Sequence, residues 1–137
     1  MRLYHFTSAQ AAESIRRTGL SRGRVVTLAQ SGMREVIPGW QWLTTMPAFD
    51  AQTWTTKESK YRNRGQARIE VVPDLRCCYR WTDMRHRISA LADWLSAGGD
   101  YWNWWLHWGS IRPDQIMEIR LADSAEPVHG VPVLRRA

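Results

Sequence analysis

The residues with the plainest chemical use stand at the start of the chain, in Met1-Arg-Leu-Tyr-His-Phe-Thr-Ser-Ala-Gln10. Leu3 to Phe6 reads as a short strand that carries His5. Directly after it comes Thr7-Ser8-Ala9-Gln10, a Ser/Thr followed three residues later by Gln. That is a capping-box pattern, in which hydroxyl and amide side chains satisfy the unpaired N–H groups of a first helical turn, so a helix begins here. Ala11, Ala12 and Ile15 supply its apolar face, and Gly19 stands where a helix of this length stops. An imidazole at such a strand-to-helix junction can hydrogen-bond a bound group or move a proton near neutral pH. The plain alternative is a structural histidine whose ring satisfies a backbone group.

Two other residue types carry binding chemistry. Nine tryptophans occur in 137 residues. Trp40 and Trp42 sit together, and Trp102, Trp104, Trp105 and Trp108 form a second group. Some of these fill a core, but indole is large and its N–H needs a partner when buried, so at this density at least one is expected to line a pocket or an interface. The formal charge is +6, and the basic residues are almost all arginine, with Lys57 and Lys60 the only lysines. Planar guanidinium forks suit phosphate and carboxylate. An anionic ligand or partner fits this balance, whether a dinucleotide, a nucleic acid or an acidic protein. A solvated basic surface fits it equally.

The remaining polar candidates are weaker. Glu70 and Glu118 alternate with apolar neighbours in strand-like segments, which turns them to solvent. His107 flanks the second tryptophan group and reads as packing, while His86 and His129 read as exposed. Four scattered histidines make no metal set. The adjacent Cys77 and Cys78 read as inert thiols of a reducing compartment. No glycine-rich phosphate loop and no G-x-S-x-G elbow is present.

The elements that must position these groups follow from periodicity. Ser21 to Gly39 is mostly loop, with a short strand at Val25 to Leu28. Trp40 to Thr45 and Ala67 to Val72 are strands. Between them, Pro47 to Gly65 is irregular, and its charged second half is an exposed loop. Asp74 to Thr82 has no clear assignment. Asp83 to Ala97 repeats apolar residues at helical spacing and ends at Gly98-Gly99. Trp102 to His107 is a strand, Gly109 to Gln115 a turn, Ile116 to Leu121 another strand, and Val131 to Leu134 an edge strand. Strands do not alternate with helices, which argues against a doubly wound parallel sheet. The expected class is α+β, a split, mostly antiparallel sheet with few helices.

Length fits one domain, 1–137, large enough to bury a core without staples. An apolar share of 44% is the usual globular one. No segment reaches the roughly 18 apolar residues of a membrane span, and the first residues lack the apolar stretch of a secretory signal. A soluble, cytoplasmic protein is expected.

The segment LYHFTSAQAAESIRRTGL resembles the first motif of the ADP-ribosyltransferase superfamily, in which a strand ends in His followed by Thr or Ser, then a helix and a glycine. The branch marked by a His, a Tyr and a Glu, with its many small bacterial and phage members, is the most similar; RNA 2′-phosphotransferases share that fold. GWQWLTTMP resembles the second motif, where a glycine precedes a strand with an aromatic residue, and WLHWGSIRPDQIMEI resembles the late strand-turn-strand. The resemblance spans about two-thirds of the chain, and its first motif is the most specific.

It implies an ADP-ribosyltransferase-like domain that binds NAD and modifies a macromolecular target. His5 would hydrogen-bond the adenosine-side ribose, the backbone at Phe6 would hold the nicotinamide amide, and Thr7 would support the junction. Trp42 falls at the aromatic position, with Tyr61 or Trp54 as a second face. The family's Glu belongs at the start of the Trp102–His107 strand, where this chain has none. Asn103 is the nearest polar residue, with Asp100 just before it. Arg2, Arg24 and Arg68 are candidates for the pyrophosphate. The catalytic set is then His5, Trp42 and Asn103. An amide orients a hydroxyl but adds no charge to stabilise a developing cation, so turnover should be slower by a few powers of ten. The competing reading is a non-catalytic Trp/Arg-rich module that holds a nucleic acid or a host partner protein, for example a phage-encoded inhibitor.

Overall fold

The computed structural model describes residues 1–28, 32–48, 65–88, 100–122 and 134–136. In chain order these form β1 (Leu3–Thr7), α1 (Ala9–Thr18), β2 (Arg24–Leu28), β3 (Arg34–Pro38), β4 (Trp40–Thr44), β5 (Ala67–Val71), β6 (Cys78–Arg80), α2 (Trp81–Ile88), β7 (Trp104–Trp108), β8 (Ile116–Ala122) and β9 (Leu134–Arg136). Short 3-10 turns precede β6, β7 and β8. Seven strands make one sheet in the order β6-β7-β4-β1-β5-β8-β9, and β2 and β3 pair with each other. Every ladder is antiparallel. The fold is α+β and mostly antiparallel sheet.

The first strand lies at the centre of that sheet and feeds α1. The helix is capped one residue later than the sequence pattern implies. Ser8, not Thr7, is the N-cap, and its hydroxyl accepts from Ala11 N–H at 3.2 Å. Thr7 is still strand, held opposite Ala67. No Gln stands at the third helical position. Gln66, far along the chain, instead accepts from Ala9 N–H at 3.0 Å and satisfies an orphan donor of the first turn. At the other end Gly19 adopts φ 84° and donates to the Ile15 carbonyl. A β-carbon there would also lie 2.3 Å from the Ile111 carbonyl oxygen, so glycine is required twice over.

Side chains alternate across the sheet and give it two different faces. Leu3, Leu43, Ala67, Ile69 and Val71 point to the side that α1 covers with Ala12 and Ile15, joined by Ile111 and Ile119 in one aliphatic core. The opposite side of β4 and β7 is aromatic. There Trp104 and Leu106 pack with Val25 of β2 and with Trp81, the fully buried first residue of α2, and Trp40 and Trp42 lean on this group.

Several elements depart from the sequence expectations. Residues 21–39, expected as mostly loop, contain a full hairpin, with Arg24↔Pro38 through Leu28↔Arg34 in register. The segment REVIP sets its β-formers Val36 and Ile37 between two charged residues and Pro38, and pairing with β2 makes it strand. The second helix begins at Trp81 rather than Asp83, and its expected continuation to Ala97 lies outside the described residues. The strand expected from Trp102 begins at Trp104, because Asp100–Asn103 coils into a 3-10 turn. The unassigned stretch before α2 holds a turn capped by Asp74 and the short edge strand β6. The last strand pairs with β8 from Leu134 on.

No helix among the described residues is long and apolar enough to cross a membrane.

Candidate functional site

The most distinctive place in the sheet is the boundary between β1 and β4. On its other side β1 pairs with β5 along its whole length, from Leu3↔Val71 to Thr7↔Ala67. Against β4 it pairs at Tyr4↔Thr44 alone among the described residues. Beyond that point no further register pair joins the two strands among the described residues. Thr45 donates its N–H to Asn103 on the β7 side at 3.1 Å, so by antiparallel alternation Trp42 turns its peptide groups toward β1. A continued register would set Phe6 opposite Trp42. Instead a side chain closes the bond: His5 Nδ1 lies 2.9 Å from the Trp42 carbonyl oxygen. A carbonyl only accepts, so Nδ1 carries the hydrogen and Nε2 of the neutral ring carries the lone pair. His5 is half-buried where this pairing ends.

A second set of side-chain bonds holds the rest of the edge that β1 abandons. Gly23, just before β2, donates to Gln41 Oε1 at 2.8 Å, and its carbonyl accepts from Gly39 N–H at 3.1 Å. A β-carbon on Gly23 would come within 2.2 Å of the Trp40 carbonyl and 2.4 Å of Gln41 Oε1, so only glycine reaches this close. The Trp42 indole donates to the Arg24 carbonyl at 3.0 Å. Gln41 is 1% exposed, and its Nε2 is a buried donor without a partner among the described residues. The Gly23 N–H fixes which end of the amide is oxygen, so turning the amide over cannot relieve it.

The structure brings His5 and Trp42 together at this junction, through the backbone of Trp42. The two side chains lie on opposite faces of the sheet. His5 is in phase with Leu3 and Thr7, and the Trp42 ring sits among tryptophans, 5.0 Å from Trp81 and 5.7 Å from Trp104 between centroids. Phe6 and Thr7 are buried. Asn103 is two strands from His5, at the far end of β4; its Oδ1 accepts from the Thr45 hydroxyl at 3.2 Å, and its carbonyl takes the Thr45 N–H. Asp100 opens the same 3-10 turn and therefore does not start β7. Tyr61 and Trp54 lie outside the described residues.

The arginines named for phosphate divide. Arg2 pairs with Glu70 at 3.3 Å, and Arg68 donates to the Pro47 carbonyl and lies 5.2 Å over the Tyr4 ring. The Arg24 side chain is exposed and joins no ion pair among the described residues. Glu70 and Glu118 do point away from the aliphatic core, as alternation requires. They are not open to water: Glu70 meets Arg2 and Glu118 meets Arg120 on a partly covered face.

His107 is buried, with Nδ1 2.9 Å from the Gly109 carbonyl, and acts as packing. Burial, with help from neighbouring negative charge, pushes the Cys78 thiol up to about 11 and keeps it protonated at neutral pH. Asp74, bridged by Arg76, is held below the usual carboxylate range. No cluster of His, Cys, Asp and Glu among the described residues could hold a metal ion.

Two residues of the junction, Gly23 and Gln41, escaped the sequence reading. A signal for Gln41 existed: in Trp-Gln-Trp-Leu, alternation sets the glutamine on the same face as Leu43, where an amide needs a specific partner. Gly23 gives no such local sign. No protein family, curated protein or solved structure compared with this chain matches it.

Proposed function

We propose that this chain is an ADP-ribosyltransferase-like protein that binds NAD where the β1–β4 ladder ends. One observation carries the reading. The histidine of the transferase-like first motif stands where the central ladder ends, and its ring holds the Trp42 carbonyl in the neighbouring strand. The three segments that resemble the family lie on β1, on β4 and on β7 with β8, and β7, β4 and β1 are consecutive in the sheet.

The residues fit a dinucleotide in part. In this reading His5 contacts a ribose hydroxyl. The Trp42 ring lies on the opposite face against two tryptophans, so Trp42 contributes its backbone carbonyl rather than a stacking ring. Breaking the nicotinamide–ribose bond develops positive charge on the sugar. Asn103 supplies no counter-charge, and its Oδ1 already takes the Thr45 hydroxyl. The reading is therefore of a protein that binds NAD and turns it over slowly, by a few powers of ten relative to a site with a carboxylate. Its macromolecular target is an anionic one, in keeping with the arginine-rich composition.

A thermal-shift titration with NAD, run beside a labelled-NAD turnover assay on the wild type and His5→Ala, tests this. NAD raises the melting temperature of the wild type, and the shift disappears in His5→Ala. A wild-type protein indifferent to millimolar NAD, or a mutant that responds equally, ends the proposal.

A further inference from the structure

The tryptophans on the aromatic face grade from buried to exposed. Trp81 and Trp104 are inside. At the other end of the same face Trp40 is half-buried, Tyr79 is 42% exposed and Trp108 is 52% exposed. The Trp40 and Trp108 rings are 4.9 Å apart between centroids, and Trp40 meets Tyr79 edge-on at 5.8 Å. Trp108 rests over Gly39, where a β-carbon would lie 3.2 Å from the indole. Backing of this kind holds an exposed ring in one orientation. Large aromatic surface left in water is costly, and a contiguous patch of it marks a contact site.

The charge beside the patch says what kind of contact. Arg22 and Arg24 flank Gly23, whose α-carbon is pressed against the Trp40 backbone. Both side chains are exposed, and neither joins an ion pair among the described residues. The whole chain carries +6. Fixed aromatic rings beside exposed guanidinium groups match a polymer that alternates flat rings with phosphates. Duplex bases are already stacked on one another and cannot reach such a platform, whereas the bases of a single strand can.

We propose that Trp40, Tyr79 and Trp108, with Arg22 and Arg24, form a binding platform for single-stranded nucleic acid. Bases stack on Trp108 and Tyr79, and the two arginines take the backbone phosphates. The platform lies on the aromatic face, opposite the face that carries His5, so its occupancy is independent of NAD.

Fluorescence anisotropy with a labelled oligothymidylate of about a dozen nucleotides, over a range of NaCl, tests the platform. The single strand binds more tightly than a duplex of the same length and quenches tryptophan emission. Trp108→Ala weakens binding about tenfold, the loss of one stacked base, while Trp108→Phe keeps most of the affinity. Arg24→Gln lowers the slope of log affinity against log salt by about 0.7. Saturating NAD leaves the affinity unchanged. Should Trp108→Ala melt early, Tyr79→Ala on the edge strand gives the same reading. Equal affinity for duplex and single strand, unchanged binding in both aromatic variants, or no binding at low salt overturns the proposal. Salt-insensitive binding of a proline-rich peptide or an oligosaccharide in its place does so as well.

Discussion

The first strand has two neighbours and treats them differently. Toward β5 it forms a regular ladder from Leu3↔Val71 to Thr7↔Ala67, over a floor of aliphatic side chains. Toward β4 the ladder stops after Tyr4↔Thr44, and side chains take over: His5 on the Trp42 carbonyl, Gln41 on Gly23, the Trp42 indole on Arg24. Backbone pairing is indifferent to side-chain identity, so the β5 boundary needs only residues of the right size and polarity. The β4 boundary needs particular atoms at particular places. Chemistry specific to this chain is therefore expected at the second boundary and stability at the first.

That contrast can be broken at either side. The largest stability effect belongs to the ladder: Ile69→Ala, at a fully buried position, should cost about 3 kcal/mol in chemical denaturation and leave any NAD response intact after correction for stability. Asn103→Glu places a carboxylate just before β7, near where the family that the first motif resembles has its Glu. It should speed NAD consumption up to about a hundredfold, equivalent to about 2.7 kcal/mol of barrier. An unchanged rate would separate Asn103 from the reacting site.

Gly23→Ala forces a methyl against the Trp40 carbonyl and should cost about 2 kcal/mol, read as a lowered melting temperature. If it is neutral, segment 22–24 does not brace the open edge of β4.

His5→Ala removes the hydrogen bond to the Trp42 carbonyl and should cost about 1 kcal/mol, much less than its effect on ligand response. A far larger stability loss would make His5 a structural residue and dissolve the contrast.

The last effect is absent at neutral pH and is a background common to both sides. The Cys78 thiol is raised from its ordinary value of 9.0 to about 11. The folded state therefore holds the proton more tightly than the unfolded chain. The stability from this group is complete below about pH 9 and is lost as pH rises through about 11. Cys78→Ala should flatten that part of a stability–pH curve.

Much of the scaffold could be read locally. The first strand and helix, the strands at Trp40, Ala67 and Ile116, and the stop at Gly19 follow from short-range pattern. What escaped was decided by distant partners. Arg34–Pro38 is a strand through its pairing with β2. The helix amide expected to be capped by a nearby Gln is met by Gln66 instead, and Asn103 coils in a turn because its backbone and amide are both engaged by Thr45.

The same division holds at the site. Alone, the sequence determined that an imidazole is carried on a first strand that feeds a helix, that the class is α+β, and that some of the indoles fill a core, because these depend on residue type and on contacts a few positions apart. Only the tertiary structure decided that the β1–β4 ladder ends beside His5, that Gly23 and Gln41 fill the gap, and that Trp42 faces away from His5. Those outcomes depend on how strands from positions 3, 40 and 104 meet, and no local pattern encodes a register between segments so far apart.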